Sequence, residues 1–326
     1  MEEVKKTNSG LPQAADKQTI FTKIKNFWSA RWLKRKQKWE QREKRTVPQK
    51  ILFAVIFVIF TAYALTLIFP FFWILLNSFK TSYEFFAEGN FMYFPKTFAP
   101  ENFIKAFSQD YSGATLAGMF FMSILMATAG TLITIFTSSC AAYIVAKYKF
   151  PGRSIIYGIV IFSLIVPIVG TLPAQLRMIK TLQIFNTPLA PLFLYSGGFG
   201  FNFILLYSYF KSLSWGYAEA ASVDGATDFQ IFWKVMMPLS FPALIAVSII
   251  QFIGLWNDYL GPALFMPDIP TLAVGMEIIY SITKNQLDHF PIMFASIVIA
   301  VMPVVLIFII FSKTIMENTV VGGLKG

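Results

Sequence analysis

Directly after Lys50 the chain reads ILFAVIFVIFTAYALTLIFPFFWILLNSFK, a run with no charged side chain before its closing lysine. Crossing the roughly 30 Å hydrocarbon core of a bilayer takes about 20 apolar residues, and a helix satisfies every backbone N–H and C=O from within. This run is long enough even when tilted, and Pro70 is placed to kink it. Five more apolar segments follow, at about 116–145, 154–173, 189–210, 241–265 and 292–311. The expected fold is therefore an all-α polytopic membrane protein with six transmembrane helices over residues 51–326, both termini on the same side.

Charge decides which side. The formal net charge is +10, but nearly all of the excess lies in the first fifty residues, which points to a membrane surface and away from nucleic acid. No apolar core precedes Ile51, so no secretory signal is expected there. Residues 1–50 read as a basic cytoplasmic extension. Within them Ile20, Ile24, Phe27, Trp28, Trp32 and Trp39 fall near helical spacing among Lys and Arg, the pattern of an amphipathic helix lying on anionic lipid. Lys147, Lys149 and Arg153 mark a second cytoplasmic segment, while Arg177 and Lys180 in AQLRMIKTLQIFNTP depart mildly from the charge rule. Six crossings then place both termini in the cytoplasm.

Only 13% of the 326 residues are charged, so no separate soluble enzyme domain fits between the spans. Cys140 stands alone inside an apolar run and reads as packing; His289 in NQLDHFP reads as a solvated loop residue. Neither a metal site nor a catalytic residue is expected. The phosphate-binding pattern GxxxxGK[ST] does not occur, so nucleotide hydrolysis is not expected on this chain.

One polar stretch interrupts the apolar pattern: EAASVDGATDFQIFWKVMMPL, residues 219–239, between the fourth and fifth spans and hence cytoplasmic. WGYAEAASV forms a short helix that Asp224-Gly225 ends, because glycine accepts the left-handed backbone of a helix terminus. Thr227 and Gln230 make a capping box for a second helix carrying Phe229, Phe232, Trp233 and Met236, which Pro238 is expected to stop. Ala220, Ala221, Gly225 and Ala226 let another backbone approach closely, and Glu219, Asp224 and Asp228 offer carboxylates to a basic partner. From local chemistry alone, a docking knob and an ordinary helix-ending loop are both open.

The order Glu219-Ala220-Ala221, Asp224-Gly225-Ala226, Phe232, Met237-Pro238-Leu239 and Pro242 resembles the EAA loop of binding-protein-dependent ABC importer permeases. NSFKT at 77–81, AAYIVAKYKFPGR at 141–153, WNDYLGP at 256–262, TLAVGM at 271–276 and the tail VVGGLKG agree in order with the carbohydrate-uptake branch, specifically the second permease of the maltose type. The resemblance spans residues 51–326. It implies a type I ABC importer permease fold in a bacterial plasma (inner) membrane, with a coupling loop at about 211–240. It also implies four partners: a second homologous permease, two cytoplasmic ATPase subunits that handle ATP and Mg, and an extracytoplasmic sugar-binding protein. Glu219, Ala220, Ala221, Asp224, Gly225, Ala226 and Pro238 would couple to the ATPase. The tail residues Gly322, Gly323, Lys325 and Gly326 would reach the ATPase, and Lys284, Asn285 and Gln286 the binding protein.

Sugars are held by aromatic stacking and hydrogen bonds, which singles out Asn202, Gln251, Trp256 and Asn257 as candidates for the substrate path. Helix-to-helix hydrogen bonding and interfacial anchoring are the structural alternative for these four. Asp258 is expected near the outer surface, in water. The competing readings are an importer permease for a non-sugar solute and a secondary transporter. The latter calls for mid-span acids or histidines, which these spans largely lack.

Overall fold

The computed structural model describes residues 46–166, 170–284, 286 and 289–321, residues 313–321 by backbone only. The amphipathic helix expected before residue 46, the tail residues Gly322, Gly323, Lys325 and Gly326, and Asn285 lie outside the described residues. Two units are distinguished, one ending at Ile68 and one beginning at Phe69. The boundary falls inside the first described helix, α1 (Val47–Ser78), which contains Pro70. From Val47 to Ile68 every α1 side chain is exposed.

In the second unit α1 ends in a polar turn, followed by α2 (Ser82–Phe86), capped by the Thr81 hydroxyl, and α3 (Glu101–Ser108). A two-residue hairpin of β1 (Asp110–Tyr111) and β2 (Ala114–Thr115) leads into α4 (Leu116–Lys147). The buried positions of α4 recur every three or four residues from Leu116 through Met119, Ser123, Ala127, Gly130, Thr134, Ser138 and Ala142 to Val145. That spacing lays one continuous stripe along the helix. Against the stripe pack α8 (Phe201–Ser212) and α11 (Phe241–Trp256). Gly130 makes the approach possible: a Cβ there would sit 2.7 Å from Leu255 Cδ1 and 2.9 Å from Tyr195 Cδ2. Small residues at such crossings replace the hydrophobic drive that lipid cannot supply.

Among the described residues two large clusters form most of the core, with a small third of Ile179, Ala190 and Phe265. One, at the Lys147 end of α4, holds Tyr143, Phe203, Leu206, Phe210, Phe232 and Met236; the other, at the Leu116 end, holds Phe85, Met119, Trp256, Leu272, Ile279 and Phe294.

Among the described residues three helices are long and apolar enough to cross a membrane singly: α1, α4 and residues Phe290–Ser312 of α14 (Phe290–Val321). The other expected spans are broken. Of the segment expected over 154–173, α5 (Arg153–Ile165) ends at Val166, and a second described helix, α6 (Leu172–Thr181), begins beyond Gly170. Val166, which precedes Pro167, has left the helical region at φ −87, ψ 116, as a residue before proline is biased to do. The segment expected over 189–210 is divided into α7 (Leu189–Tyr195) and α8, with Gly200 at φ +151 in the gap. Gly198 in the same gap lies so close to α4 that a Cβ would stand 3.0 Å from the Thr137 carbonyl oxygen. The segment expected over 241–265 is α11 followed by α12 (Leu260–Phe265), and a further helix, α13 (Leu272–Thr283), precedes Lys284.

Candidate functional site

The polar stretch forms a knob rooted at the Lys147 end of α4. α9 (Gly216–Val223) closes with a Schellman turn: Ala226 N–H donates to the Ala221 carbonyl and Gly225 N–H to that of Ser222, both at 3.0 Å. Gly225 takes φ +83, the left-handed conformation this closure requires. The Thr227–Gln230 capping box then opens α10 (Asp228–Leu239), as its sequence anticipates. Pro238 does not stop this helix. The chain passes through a π turn at Phe232–Met236, with Met237 N–H reaching back to Phe232 O, and continues to Leu239. A proline removes one N–H and crowds the carbonyl four residues back; one widened turn upstream accommodates it without ending the helix. The turn to α11 comes at buried Ser240, whose hydroxyl donates to Met236 O at 2.8 Å, and the two helices meet at 75°.

The root is apolar and the tip is not. Ala218, Ile231, Phe232 and Met236 are buried, with the Phe232 ring 4.9 Å from that of Tyr143. Fully burying a Phe or Met side chain contributes roughly 1.5–3 kcal/mol, so a few such residues fix the knob firmly. Glu219, Ala220, Asp224, Gly225 and Pro238 are exposed, Ala221 and Ala226 half-buried. Beside the acids stand Val223, 87% exposed, and Phe229, 74% exposed. The sequence-expected tip residues are thus exposed or half-buried around the Gly225 turn, while Pro238 sits at the far end of α10, close to the elbow.

The segment directly after α4 supplies a seat that the sequence did not reveal. Lys147 Nζ donates to the Leu213 carbonyl at 2.6 Å, bracing the entry to the knob. The Tyr148 ring lies edge-on to Trp215 at 6.0 Å and to Tyr143 at 5.7 Å. Burial pushes the Tyr148 phenol above its ordinary range; a hydrogen bond with Tyr143 opposes this, and the hydrogen bond and charge of Asp228 add to the rise. Asp228 is thereby engaged by the protein itself, unlike Glu219 and Asp224. The motif residues 146–153 carried this signal only as basic loop residues after a span.

The four path candidates do not form one site. Asn202 Nδ2 donates to Gln251 Oε1 at 2.7 Å, joining α8 to α11. Trp256 is buried against Phe120 and Phe252 and donates its indole N–H to the Ala300 carbonyl at 3.1 Å. Asn257 caps its own helix through Ile253 O and stands exposed on a cleft of about 350 Å³ that Trp256, Leu272, Met276, Ala300 and Val304 also line, so these two candidates share one cleft. Asp258, expected to be solvated, is half-buried instead: Tyr195 O–H donates to Oδ2 at 2.6 Å and Gly261 N–H to Oδ1 at 3.1 Å. The breaks after Tyr195 and Trp256 bring these groups together, a juxtaposition that an unbroken span would not make.

At the Leu116 end, Lys284 follows α13 and is exposed, and Gln286 lines a cleft of about 490 Å³ with Ser112, Glu277 and Ser281. Nearby lies a buried polar knot. Fully buried Lys80 donates to Asn77 Oδ1 at 2.8 Å and to the Asn90 carbonyl at 2.6 Å. Glu84 Oε1 accepts from Asn90 Nδ2 at 2.5 Å and from Lys96 N–H at 2.7 Å, and Asn102 Nδ2 donates to the carbonyls of Ser78 and Lys80. Burial lowers the Lys80 pKa, partly offset by Glu84. Burial acts to raise that of Glu84, but the Lys96, Thr97 and Asn90 donors and the Lys80 charge together bring it below its usual value.

Residues 135–316 match the family model described as binding-protein-dependent transport system inner membrane component. The arabinooligosaccharides transport system permease protein AraQ of Bacillus subtilis is 31% identical over 82% of this chain and 94% of its own length. The diacetylchitobiose uptake system permease protein NgcG of Streptomyces coelicolor is 29% identical over 78% of this chain and 82% of its own. In fold the chain is similar to a chain from the crystal structure of a bacterial ABC transporter involved in importing the acidic polysaccharide alginate. That likeness has a TM-score of 0.72 at 21% identity and covers 83% of this chain and 99% of the other.

Proposed function

The chain belongs to the family of binding-protein-dependent transport system inner membrane components, and on that footing we propose that it is one of two permeases of an ATP-driven oligosaccharide importer. The names of its sugar-carrying relatives support the choice of cargo. In this reading the membrane is a bacterial plasma membrane, and α1, α4 and α14 cross it as single helices. The remaining three crossings come from α5, from α7 with α8, and from α11 with α12, which are shorter or interrupted. Both termini and the knob then face the cytoplasm. Interrupted helices suit a solute path, because their freed backbone groups and the side chains beside them can hydrogen-bond cargo. Asn202, Gln251 and Asn257 stand near those breaks.

The observation that carries the reading is the knob: two helices closed at Gly225, an apolar root locked under Tyr143, and a small acidic tip turned outward. A rigid element of this shape can sit in a cleft of an ATPase subunit and convert nucleotide-driven closure into rotation of α11, alternating access between the two sides. Two ATPase subunits would hold ATP and Mg, a second related permease would complete the pore, and an external binding protein would deliver the sugar. The test is ATPase stimulation of the purified complex across a panel of mono- and oligosaccharides. Stimulation by one sugar-loaded binding protein is the expected result. No stimulation by any sugar would remove the support for carbohydrate cargo.

A further inference from the structure

Around the buried knot, residues 92–94 turn their side chains outward, while the rings of Phe91 and Phe98 pack on Phe85 at 4.9 Å and Phe79 at 4.6 Å. Tyr93 is 78%, Phe94 75% and Met92 66% exposed, and Phe98 is exposed beside them. This is not a slack loop. Asn77 Nδ2 and Lys80 Nζ hold the carbonyls of Phe91 and Asn90, Asn90 holds Tyr93 N–H and the Phe94 carbonyl, and Glu84 holds Lys96 N–H. The only charge in the segment, Lys96, is matched by Glu88 at 2.6 Å. A buried polar scaffold that displays apolar rings to the exterior calls for an apolar or interfacial partner.

The level of the segment identifies that partner. Phe94 packs edge-on to Phe72 of α1 at 6.4 Å. Phe72 precedes Ser78 by about 9 Å of helix, so the loop doubles back alongside the span. Around that contact Phe69, Phe71 and Phe72 are themselves exposed, continuing the apolar surface of a helix whose apolar length fits a bilayer. The apolar run of α1 gives way at Asn77, and a hydrocarbon core of about 30 Å takes up only about 20 of its residues, so the last turns of the run stand at the edge of that core. Phe72 and Phe94 then lie at the boundary between acyl chains and headgroups, where tyrosines and other amphipathic aromatics concentrate. Lys96 can extend its ammonium toward the phosphates while its stem stays in the apolar layer.

We propose that residues 90–98 form a membrane-dipping loop, with Met92, Tyr93 and Phe94 seated in the lipid interface of the leaflet at the Ser78 end of α1. The loop holds the start of the polar connection at a fixed depth, a role independent of the cargo and of the knob. The test uses the whole transport complex in phospholipid nanodiscs, with a bimane probe at Tyr93→Cys or Met92→Cys in a Cys140→Ser background. Glu101→Cys, exposed at the start of α3, is the reference. Lipid carrying a nitroxide near the top of its acyl chain should quench the loop probes several-fold more than the reference, with aqueous iodide showing the reverse order. Iodide quenching equal to the reference would place the loop in water and overturn the proposal. Protection from both quenchers would overturn it too, by assigning the aromatic edge to a protein partner.

Discussion

Between residues 77 and 102 the side chains of Asn77, Lys80, Glu84, Asn90 and Asn102 turn inward and are satisfied by one another and by nearby backbone; between 213 and 240 the backbone satisfies itself and leaves Glu219 and Asp224 facing out. Lys80 and Glu84 are buried with their hydrogen-bonding capacity committed to Asn77, Asn90 and nearby backbone. Glu219 and Asp224 instead stand exposed on helices closed by a Schellman turn and a capping box. Both regions interrupt an apolar chain, but the first buries its central charged pair while the second leaves Glu219 and Asp224 exposed at its tip. The first fixes a position; the second is equipped to meet a partner.

The contrast can be broken from either side. Lys80→Met should leave the Glu84 carboxylate and the Asn90 carbonyl without their cation, and removing one member of a buried charged set costs about 3–5 kcal/mol. Thermal unfolding of the purified subunit in detergent should show a large drop in Tm; an unchanged Tm would mean the knot bears no weight. Gly225→Val has open space around its new side chain, so its cost is confined to the left-handed backbone, about 1–2 kcal/mol. The subunit should still insert, but transport should be abolished because the Schellman turn sets the angle of the tip; transport at the unmodified rate would refute the coupling role. Tyr148→Phe keeps the ring against Trp215 and loses the phenol beside Asp228, a change of about 1 kcal/mol. Sugar transported per ATP hydrolysed should fall modestly, with a Tm loss smaller than that of Lys80→Met; an unchanged ratio would speak against a role for the seat in coupling.

These contrasts also explain what could be read before any coordinates. The Gly225 turn and the Thr227–Gln230 box are local, set by residues within a few positions of each other, and both stand where the sequence indicates. Breaks at 196–200 and 257–259 are less visible, because apolar composition continues across them and hydropathy records length, not continuity. Lys80 reads as a charge marking the end of a span, whereas its burial depends on Asn90 and Asn77 folding around it. Asp258 acquires its partner from Tyr195, 63 positions earlier in the chain. The seat under the knob is likewise nonlocal: Tyr143 and Tyr148 meet Phe232 and Trp215 only after α4, α9 and α10 pack.

The elbow at Ser240 sets a scale for what the knob can do. From that buried, hydrogen-bonded hinge, α10 extends about 18 Å at 1.5 Å per residue, set at 75° to α11. It is therefore a crank arm: a displacement of about 3 Å at its tip corresponds to about 10° of swing by the geometry of a rigid helix of that length. A stiff joint delivers that swing to α11, and a loose one dissipates it in bending. Under the proposed coupling role, transmission from the tip to α11 would rest on the π turn and on one serine hydroxyl, about 18 Å from where force would be applied.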